Sequence, residues 1–175
     1  VTISSKKQHS FKTETQGFTK EDFPKPPDME FKKSFTLSQP LLRELLKKTV
    51  YATLKNETNK PYLTGVYLKI NNANITTVGS DGFRLSCITR KLTAPIAEKQ
   101  SDEIGVIIPN KTVNDLLKIL STNSGEVTIA ISEREILFKM DDIIFLSRLL
   151  DSKFPKYDQV IPTETKYQIE LDVKE

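Results

Sequence analysis

The chain has 175 residues, of which 37% are hydrophobic and 28% are charged, and its formal net charge is +3. These proportions are typical of an ordinary globular protein, and no apolar run approaches the roughly 20 residues that a membrane-spanning helix needs. One histidine, His9, and one cysteine, Cys87, leave too few ligands for a His/Cys zinc site or a Cys–His nucleophile pair. We expect Cys87 to be buried as a small hydrophobic residue in a protein of the reducing cytoplasm.

Two proline-rich segments divide the chain, EDFPKPPDME and DSKFPKYDQVIPTE. Proline lacks the backbone N–H that a helix interior needs, so both segments are predicted to be extended connectors. The outer segments VTISSKKQHSFKTET and TKYQIELDVKE alternate like strands, but each is too short to form a stable sheet by itself. We therefore expect one complete domain flanked by pieces of two others.

The central block opens with a predicted strand, KSFTL, which leads into a helix. Ser38 is expected to cap this helix, and apolar residues at helical spacing predict that it runs from Gln39 to Tyr51, with an inward face of Leu41, Leu42, Leu45, Leu46 and Val50. Three strands are predicted next, YLTGVYLKIN, NITTVGS and FRLSCITRKL, joined by turns at Asn71–Asn72 and Asp81–Gly82. An Asp-Gly pair between two alternating runs is a strong hairpin signal.

The same order of elements then repeats. EIGVIIP is a predicted strand, and Asn110 is expected to cap a helix that ends near Leu120, with an inward face of Val113, Leu116, Leu117 and Leu120. The strands EVTIAIS, EILFKM and IIFLSRLL follow, with turns near Glu133–Arg134 and Asp141–Asp142.

This duplication predicts the fold class. It is an α+β domain in which two antiparallel sheets back two helices, with pseudo-twofold symmetry between the two strand–helix–three-strand units. Because each predicted strand alternates, we expect each sheet to have one covered face, against the helices, and one solvated face.

Both predicted helices carry basic residues away from their apolar faces. Arg43 and Lys47 are four residues apart, and Lys111 and Lys118 are seven apart, so each pair shares a helix face. Such faces can meet a phosphate backbone by charge alone, without reading bases. They can equally be solvated helix faces, and acidic neighbours dilute their positive charge.

The sequence offers no constellation of residues typical of an enzyme. Asp141–Asp142 lies between two strand-like runs, where a hairpin turn is favoured over a metal site. The sequence has no glycine-rich phosphate loop and no helical metal-binding motif. We therefore expect no catalytic residues, no cofactor and no metal, and we interpret the chain as a binding protein.

Four segments resemble the bacterial sliding clamp, the beta subunit of DNA polymerase III: PYLTGVYLKI, GSDGFRLS, VIIPNKTVNDLLKIL and SRLLDSKFPKYDQVIP. In that family a Leu-x-Gly strand, a Thr/Ser-Asp-Gly-x-Arg-Leu turn and an Arg-Leu segment that continues to Pro-x-Tyr occur in this order. Here they are Leu63 to Gly65, Ser80 to Leu85, and Arg148 to Tyr157. The resemblance covers almost the whole chain, including both proline connectors.

The resemblance implies a DNA-clamp fold and a ring. The family chain has three such domains, and two chains close around duplex DNA through an interface between their first and third domains. It implies that residues 1–26 are closing strands of the first domain and a linker, that 27–150 form the middle domain, and that 151–175 are a linker and the first strand of the third. The longer chain is then a ring-shaped homodimer, whereas these 175 residues are expected to be monomeric.

The resemblance also implies functional residues. In the family, helices line the inside of the ring. The resemblance therefore implies five candidates for sequence-independent contacts with duplex DNA: Arg43, Lys47, Lys111, Lys118 and Tyr62. A hydrophobic pocket on the family's surface receives a short peptide from the DNA polymerase III alpha subunit, the clamp loader and other proteins. The matching positions are Leu63, Ser80, Gly82, Phe83, Arg84, Leu85, Pro155, Gln159 and Val160.

The implied function is that of a non-catalytic DNA polymerase processivity factor, acting in the cytoplasm without a membrane. The alternative is a small DNA-binding or scaffold domain of the same fold that forms no ring. A chain with all three domains would favour the clamp.

Overall fold

A computed structural model describes residues 2–4, 12–22, 31, 33–56, 59–71, 73–92, 103–164, 166–167 and 169–170. Contacts divide the chain into two compact units, Val1–Glu30 and Phe31–Glu175. In the first unit, β1 (Thr2–Ser4) pairs antiparallel with β2 (Lys12–Glu14), and a 3-10 turn follows at Lys20–Asp22. His9 and the prolines of the first connector lie outside the described residues, as does most of the strand predicted after residue 165.

The second unit has the predicted order of strand, helix and three strands, twice. The first repeat consists of β3 (Lys33–Ser38), α1 (Gln39–Val50), β4 (Gly65–Ile70), β5 (Asn74–Ser80) and β6 (Leu85–Lys91). The second consists of β7 (Ile104–Pro109), α2 (Asn110–Ile119), β8 (Glu126–Ile131), β9 (Glu135–Met140) and β10 (Ile143–Arg148). Short 3-10 turns at Pro61–Leu63 and Tyr157–Val160 complete the described elements.

The described strands of this unit form two antiparallel sheets, ordered β6-β5-β4-β7 and β10-β9-β8-β3. Each repeat therefore gives its first strand to the sheet of the other repeat. Phe35 of β3 pairs with Ile129 of β8, and Tyr67 of β4 pairs with Ile107 of β7. Neither repeat can complete its sheet alone, a feature that the order of the elements along the chain did not predict.

The main core lies between the helices and the inner faces of both sheets. The inward face predicted for each helix is confirmed, with Leu42, Leu45 and Leu116 fully buried. Helix α1 comes very close to β5: the Thr77 hydroxyl donates to the carbonyl of Leu45 at 3.0 Å. At Gly79 a Cβ atom would collide with the backbone of α1, so the close approach requires glycine there.

Neither helix begins with the predicted side-chain cap. Ser38 occupies the N-cap position of α1 without a side-chain capping bond, and Pro109, not Asn110, is the N-cap of α2. Each helix follows a strand directly. The carbonyl that accepts the hydrogen bond of its first amide belongs to a loop elsewhere in the chain. The amide of Gln39 donates to the carbonyl of Gly125 at 2.9 Å, and the amide of Asn110 donates to that of Thr64 at 2.9 Å.

The expectation of a solvated outer face is wrong for the sheet β6-β5-β4-β7. Strand β5 is buried along nearly its whole length, from residue 75 to residue 79. The chain after β10 folds back over the outer face, where Phe154 stacks on Tyr67 with ring centroids 4.7 Å apart and planes 4° apart. A second cluster of buried side chains results, made by Leu63, Val78, Ile107 and Phe154.

The expectation of a buried cysteine is also wrong. Cys87 lies on β6, an edge strand, and its side chain is exposed. Partial desolvation and the Asp158 carboxylate raise the pKa of the Cys87 thiol.

Candidate functional site

The turn between β5 and β6 is held by its own side chains. The Asp81 carboxylate accepts hydrogen bonds from the amides of Phe83 and Arg84 at 2.9 and 3.0 Å. The Ser80 hydroxyl donates to the carbonyl of Arg84 at 2.8 Å and accepts from the amide of Gly82 at 3.1 Å. Gly82 has a φ of 91°, a conformation that favours glycine. These hydrogen bonds therefore fix the conformation of the turn, and the exposed side chains of Phe83 and Arg84 project from it.

Arg84 joins this turn to the end of α1. Its Nε donates to Asp81 at 3.0 Å and its Nη2 donates to the carbonyl of Tyr51, the C-cap residue of α1, at 3.1 Å. Its guanidinium also lies 6.0 Å from the centre of the Tyr51 ring. A cation at a helix C-terminus is favourable because the last carbonyls carry partial negative charge. The side chain is still 60% exposed and can bind a partner.

The surroundings of Asp81 favour the charged form of its carboxyl group. The hydrogen bonds from the amides of Arg84 and Phe83, followed by the charge of the Arg84 guanidinium, hold the pKa of the Asp81 carboxyl below its ordinary value. The carboxylate is therefore ionised throughout the neutral range. Asp81 was not among the predicted site residues, although it organises the turn that carries three of them.

Two other segments face this turn. The 3-10 turn Pro61–Leu63 is tied down by a hydrogen bond from the amide of Leu54 to the carbonyl of Leu63 at 2.9 Å. The segment after β10 is tied to β7 by a bond from the amide of Leu150 to the carbonyl of Ile107 at 3.0 Å. The Phe154–Tyr67 stack then places the following 3-10 turn beside β5 and β6.

These three segments enclose a cavity of about 440 Å³. It brings together eight of the nine residues predicted for a peptide pocket: Leu63, Ser80, Gly82, Phe83, Arg84, Leu85, Pro155 and Val160. The ninth, Gln159, is exposed on the same 3-10 turn as Val160 and does not line the cavity. We refer to this cavity as the turn pocket.

The turn pocket has an apolar floor and an exposed lip. Leu63 and Phe154 belong to the second buried cluster, so the floor is rigid and continuous with the covered sheet face. Phe83 is 99% exposed and Val160 is 66% exposed, which leaves two apolar side chains at the rim without a covering layer. A groove of this kind suits a short peptide that inserts aliphatic or aromatic side chains.

Sequence reasoning missed five residues that line the turn pocket: Lys60, Tyr62, Phe154, Lys156 and Tyr157. Tyr62 had been expected to face DNA, and the structure places it at this cavity. Burial, and then the charge of Asp158, raises the pKa of Tyr157 to about 12, so its hydroxyl stays neutral. The sequence does contain a signal for Phe154 and Tyr157, the two aromatic residues of FPKY in the second proline connector. An exposed connector rarely holds a Phe and a Tyr so close together, so this pair indicates a packed segment.

The four basic residues predicted on the helices differ in their surroundings. Lys47 and Lys111 are exposed and form no ion pair with any residue that the structure describes. Lys118 pairs with Asp115 at 2.7 Å. Arg43 is half-buried, and its guanidinium donates to the carbonyls of Leu117 and Leu120 at the C-terminal end of α2. Arg43 therefore joins the two helices, while the lysines remain accessible.

A larger cleft of about 1000 Å³ lies beside β7, with charges of both signs, and none of the predicted site residues lines it. No group of three or more potential metal ligands occurs among the described residues. No helix among them is long and apolar enough to cross a membrane.

Comparison with known proteins identifies the family. A family model for the DNA polymerase III beta subunit, central domain, matches residues 36–156. The chain belongs to the DNA polymerase III beta-subunit family. This confirms the relationship inferred from the sequence motifs.

Curated relatives agree with this assignment. The beta sliding clamp of Halalkalibacterium halodurans is 35% identical over 161 residues, which are 90% of this chain and 41% of the relative. That of Bacillus subtilis is 33% identical over 159 residues, or 91% of this chain and 41% of the relative. The chain thus spans about two fifths of the length of these beta-subunit relatives.

Solved structures of the family share the fold. The sliding clamp of Pseudomonas aeruginosa bound to griselimycin superposes with a TM-score of 0.79 at 28% identity, over 91% of this chain and 41% of that one. The sliding clamp of Bacillus subtilis gives a TM-score of 0.77 at 29% identity, over 94% and 44% of the two chains. The α+β architecture predicted from the repeated elements and the clamp fold implied by the resemblance are both confirmed.

Proposed function

We propose that this chain acts as part of a sliding clamp, a processivity factor that encircles duplex DNA and tethers DNA polymerase III and other proteins to it. The turn pocket carries the proposal, because it gathers residues that the family resemblance had assigned to one peptide-binding site. In this proposal residues 1–26 close a first clamp domain, 27–150 are the middle domain, and 151–175 begin a third.

The helix face supplies the proposed contact with DNA. Lys47 and Lys111 are exposed cations on the two helices, and a lysine side chain can exchange one phosphate for the next as the duplex moves. Contacts with phosphates carry no sequence information, which suits a protein that slides. In a closed ring, topology retains the DNA, so each contact can be weak.

The turn pocket supplies the proposed contact with partners. Apolar side chains of a partner peptide would be buried against Leu63, Leu85 and Phe154, and each buried CH₂ group contributes about 0.8 kcal/mol. Arg84 is held by Asp81 and the end of α1, so it presents donors to peptide carbonyls at little cost in side-chain entropy. The pocket binds and orients its partner without performing chemistry.

The partners follow from the family. We infer that the DNA polymerase III alpha subunit and the clamp loader use the turn pocket, and that the protein acts in the cytoplasm as a ring-shaped homodimer like the family's clamps. No catalytic step and no cofactor belong to this proposal.

The experiment is a titration of the chain with the peptide Gln-Leu-Asn-Leu-Phe, of the Gln-Leu-x-Leu-Phe type that the resemblance implies for clamp partners, followed by backbone amide NMR. We expect shifts centred on the amides of Leu63, Gly82 to Leu85 and Val160. Phe83→Ala and Val160→Ala should weaken binding about threefold or more, because each removes apolar contact area at the rim.

The matched control is Ile144→Ala. Ile144 is 65% exposed, close to the 66% of Val160, but it lies on β10 and does not line the turn pocket. This variant should bind the peptide with unchanged affinity. Equal losses in Ile144→Ala and Val160→Ala, or shifts centred outside the turn pocket, would contradict the proposed function.

A further inference from the structure

We propose that Glu44 and Asp115 limit the attraction between duplex DNA and the exposed face of helices α1 and α2, so that the clamp stays free to slide. Each carboxylate neutralises neighbouring cations that would otherwise be available to phosphates. This inference deepens the proposed function and rests on it, because it concerns the same helix face. It assigns a role to two acidic side chains, whereas the resemblance implied only basic residues and Tyr62 as contacts with DNA.

The two carboxylates occupy equivalent places in the two repeats. Counted from the first residue of α1 and of α2, Glu44 and Asp115 are each the sixth residue of their helix. Their side chains are similarly exposed, at 35% and 39%, and each pairs with a lysine in the next turn of its own helix. The same charge at the same place in both repeats indicates a contribution to the surface that the two helices share.

Glu44 holds two cations at once. Its Oε1 accepts a hydrogen bond from Nζ of Lys48 at 2.8 Å and from Nη2 of Arg90, on β6, at 2.7 Å. These bonds, that of Lys48 first, lower the pKa of Glu44, so the group is ionised at neutral pH. Glu44 also lines, together with Lys47 and Lys48, a shallow hollow of about 290 Å³. One negative charge therefore lies among three positive ones.

Asp115 has the corresponding position on α2. It accepts a hydrogen bond from Nζ of Lys118 at 2.7 Å, and Lys111, four residues earlier, lies on the same helix face. The hydrogen bond and charge of Lys118, and then the charge of Lys111, lower the pKa of Asp115. Asp115 thus lies between the two lysines of α2 that the resemblance assigned to DNA, and its charge acts on both.

A carboxylate in this position opposes the binding of a phosphate in two ways. Lys48 and Lys118 must leave their acidic partners before they can contact DNA, and the carboxylate itself repels the phosphate. Lys47 and Lys111 form no ion pair with a described residue and remain available. Each contact must break as the duplex moves, so a stronger attraction would slow sliding, while a closed ring retains the DNA without it.

The expected effect is a change in salt dependence. Each phosphate charge that a protein neutralises adds about 0.9 to the slope of log affinity against log salt concentration. Removing one carboxylate frees about one positive charge, so it should steepen the slope by about 0.9. The gain in affinity between 200 and 50 mM salt then becomes about 3.5 times larger. If the ion pairs only stabilised the helices, the slope would not change.

The experiment is a titration of the 175-residue chain with a 16-base-pair duplex, followed by backbone amide NMR at 50, 100 and 200 mM salt. Glu44→Gln and Asp115→Asn are compared with the unaltered chain, and each keeps an acceptor oxygen for its lysine. We expect both variants to bind more tightly at low salt, with slopes steeper by about 0.9. Asp115→Asn leaves the bond between Glu44 and Arg90 intact, so it tests the charge without disturbing the contact of α1 with β6.

The matched control is Glu103→Gln, which changes the net charge by the same amount. Glu103 is also an ion-paired carboxylate, 3.1 Å from Lys69. Burial, and then the charge of Glu103, raises the pKa of Tyr67, which places Glu103 near the sheet face that Phe154 covers. This variant should keep the slope of the unaltered chain. Equal steepening in Glu103→Gln would show an effect of net charge alone and overturn the assignment to Glu44 and Asp115.

Two other results separate this inference from the proposed function. If the duplex shifts amides of α1 and α2 while Glu44→Gln and Asp115→Asn keep the original slope, the limiting role is overturned and the contact with DNA stands. If the duplex shifts no amide of either helix in any of these chains, both the limiting role and the contact of the helix face with DNA are overturned.

Discussion

At the scale of single residues, Asp81 determines the shape of the turn between β5 and β6 that forms one wall of the turn pocket. Its two carboxylate oxygens hold the amides of Phe83 and Arg84 and the Arg84 side chain. An Asx-type turn of this kind fixes the residues that follow the aspartate. Because the charged form makes these bonds, protonation of Asp81 should loosen the turn.

The pH dependence follows from the direction of the Asp81 shift. The amides of Arg84 and Phe83 lower the pKa of Asp81 from its ordinary value of 3.8. The stabilisation is therefore fully present above the ordinary value and is lost as the pH falls through the lower, folded-state value. We expect the amide chemical shifts of Phe83 and Arg84 to titrate together with a midpoint below 3.8.

The control for this titration is Asp81→Asn, which keeps an acceptor oxygen and removes the charge. The shared acid transition of the Phe83 and Arg84 amides should disappear in this variant. A midpoint at or above 3.8 in the wild-type chain would mean that the carboxylate does not hold these amides in solution.

At the scale of elements, the segment after β10 has two tasks. It covers the outer face of the sheet β6-β5-β4-β7 through Phe154, and it supplies one wall of the turn pocket through Pro155 and Val160. Among the backbone hydrogen bonds of the described residues, a single one joins this segment to β7, from the amide of Leu150 to the carbonyl of Ile107. We infer that the packing of Phe154 on Tyr67 contributes most to holding this segment in place.

We expect Phe154→Ala to lower the free energy of unfolding by about 3 kcal/mol, a loss typical of deleting a buried phenylalanine ring. Phe154 is 9% exposed and stacks on Tyr67, so its ring is almost completely removed from water in the folded state. The wall of the turn pocket should shift as well, which weakens peptide binding. Urea denaturation followed by circular dichroism measures the first effect, and peptide titration measures the second.

Phe83→Ala is the matched control for this prediction. Phe83 is 99% exposed, so the same substitution should change the free energy of unfolding by less than about 0.5 kcal/mol while still weakening peptide binding. A loss of stability in Phe154→Ala as small as that in Phe83→Ala would show that the segment does not cover the sheet.

Local patterns in the sequence predicted the elements well, and they failed where distant parts of the chain meet. The bounds of β5 agree with the predicted NITTVGS, because alternation and a following Asp-Gly turn are local signals. The side-chain caps predicted at Ser38 and Asn110 were wrong: Ser38 is at the N-cap without a capping bond, and Asn110 is the first residue of α2. The first amides of the two helices instead donate to the carbonyls of Gly125 and Thr64, which lie on other loops. Cys87 was misjudged because alternation does not reveal which strand lies at a sheet edge.

The turn pocket likewise combines residues that a local motif predicts with residues that only long-range folding brings in. Its residues on the β5–β6 turn were found from a motif, but the contribution of Phe154 depends on the chain folding back onto Tyr67, eighty-seven positions earlier in the sequence, which no short-range pattern records. Family resemblance supplied Pro155 and Val160 without giving the physical reason for their position. The structure provides that reason in the covered outer face of the sheet.

At the scale of the whole second unit, the exchange of first strands joins the two repeats into one folding unit. Strand β3 completes the sheet of the second repeat, and β7 completes that of the first. Helices α1 and α2 also pack against each other, and Arg43 of α1 bonds to carbonyls at the end of α2. Loss of either repeat would leave an incomplete sheet with an apolar face in water.

We therefore expect both sheets to unfold in a single transition. In a urea titration followed by hydrogen exchange, the amides of Thr77 in β5 and Ile129 in β8 should lose protection with the same free energy. Phe35→Ala tests the coupling, because Phe35 is buried on β3 and pairs with Ile129. The loss, about 3 kcal/mol for a buried phenylalanine, should be equal at the two amides.

Ser34→Ala is the matched control, since Ser34 is the exposed neighbour of Phe35 on the same strand and its loss should leave both amides unchanged. If Phe35→Ala instead lowered protection at Ile129 and left Thr77 unaffected, the two sheets would be separate folding units despite the exchange. Equal losses would mean that the strand exchange makes the turn pocket, on one sheet, depend on the integrity of the other. The pocket and the helix face would then be lost and regained together.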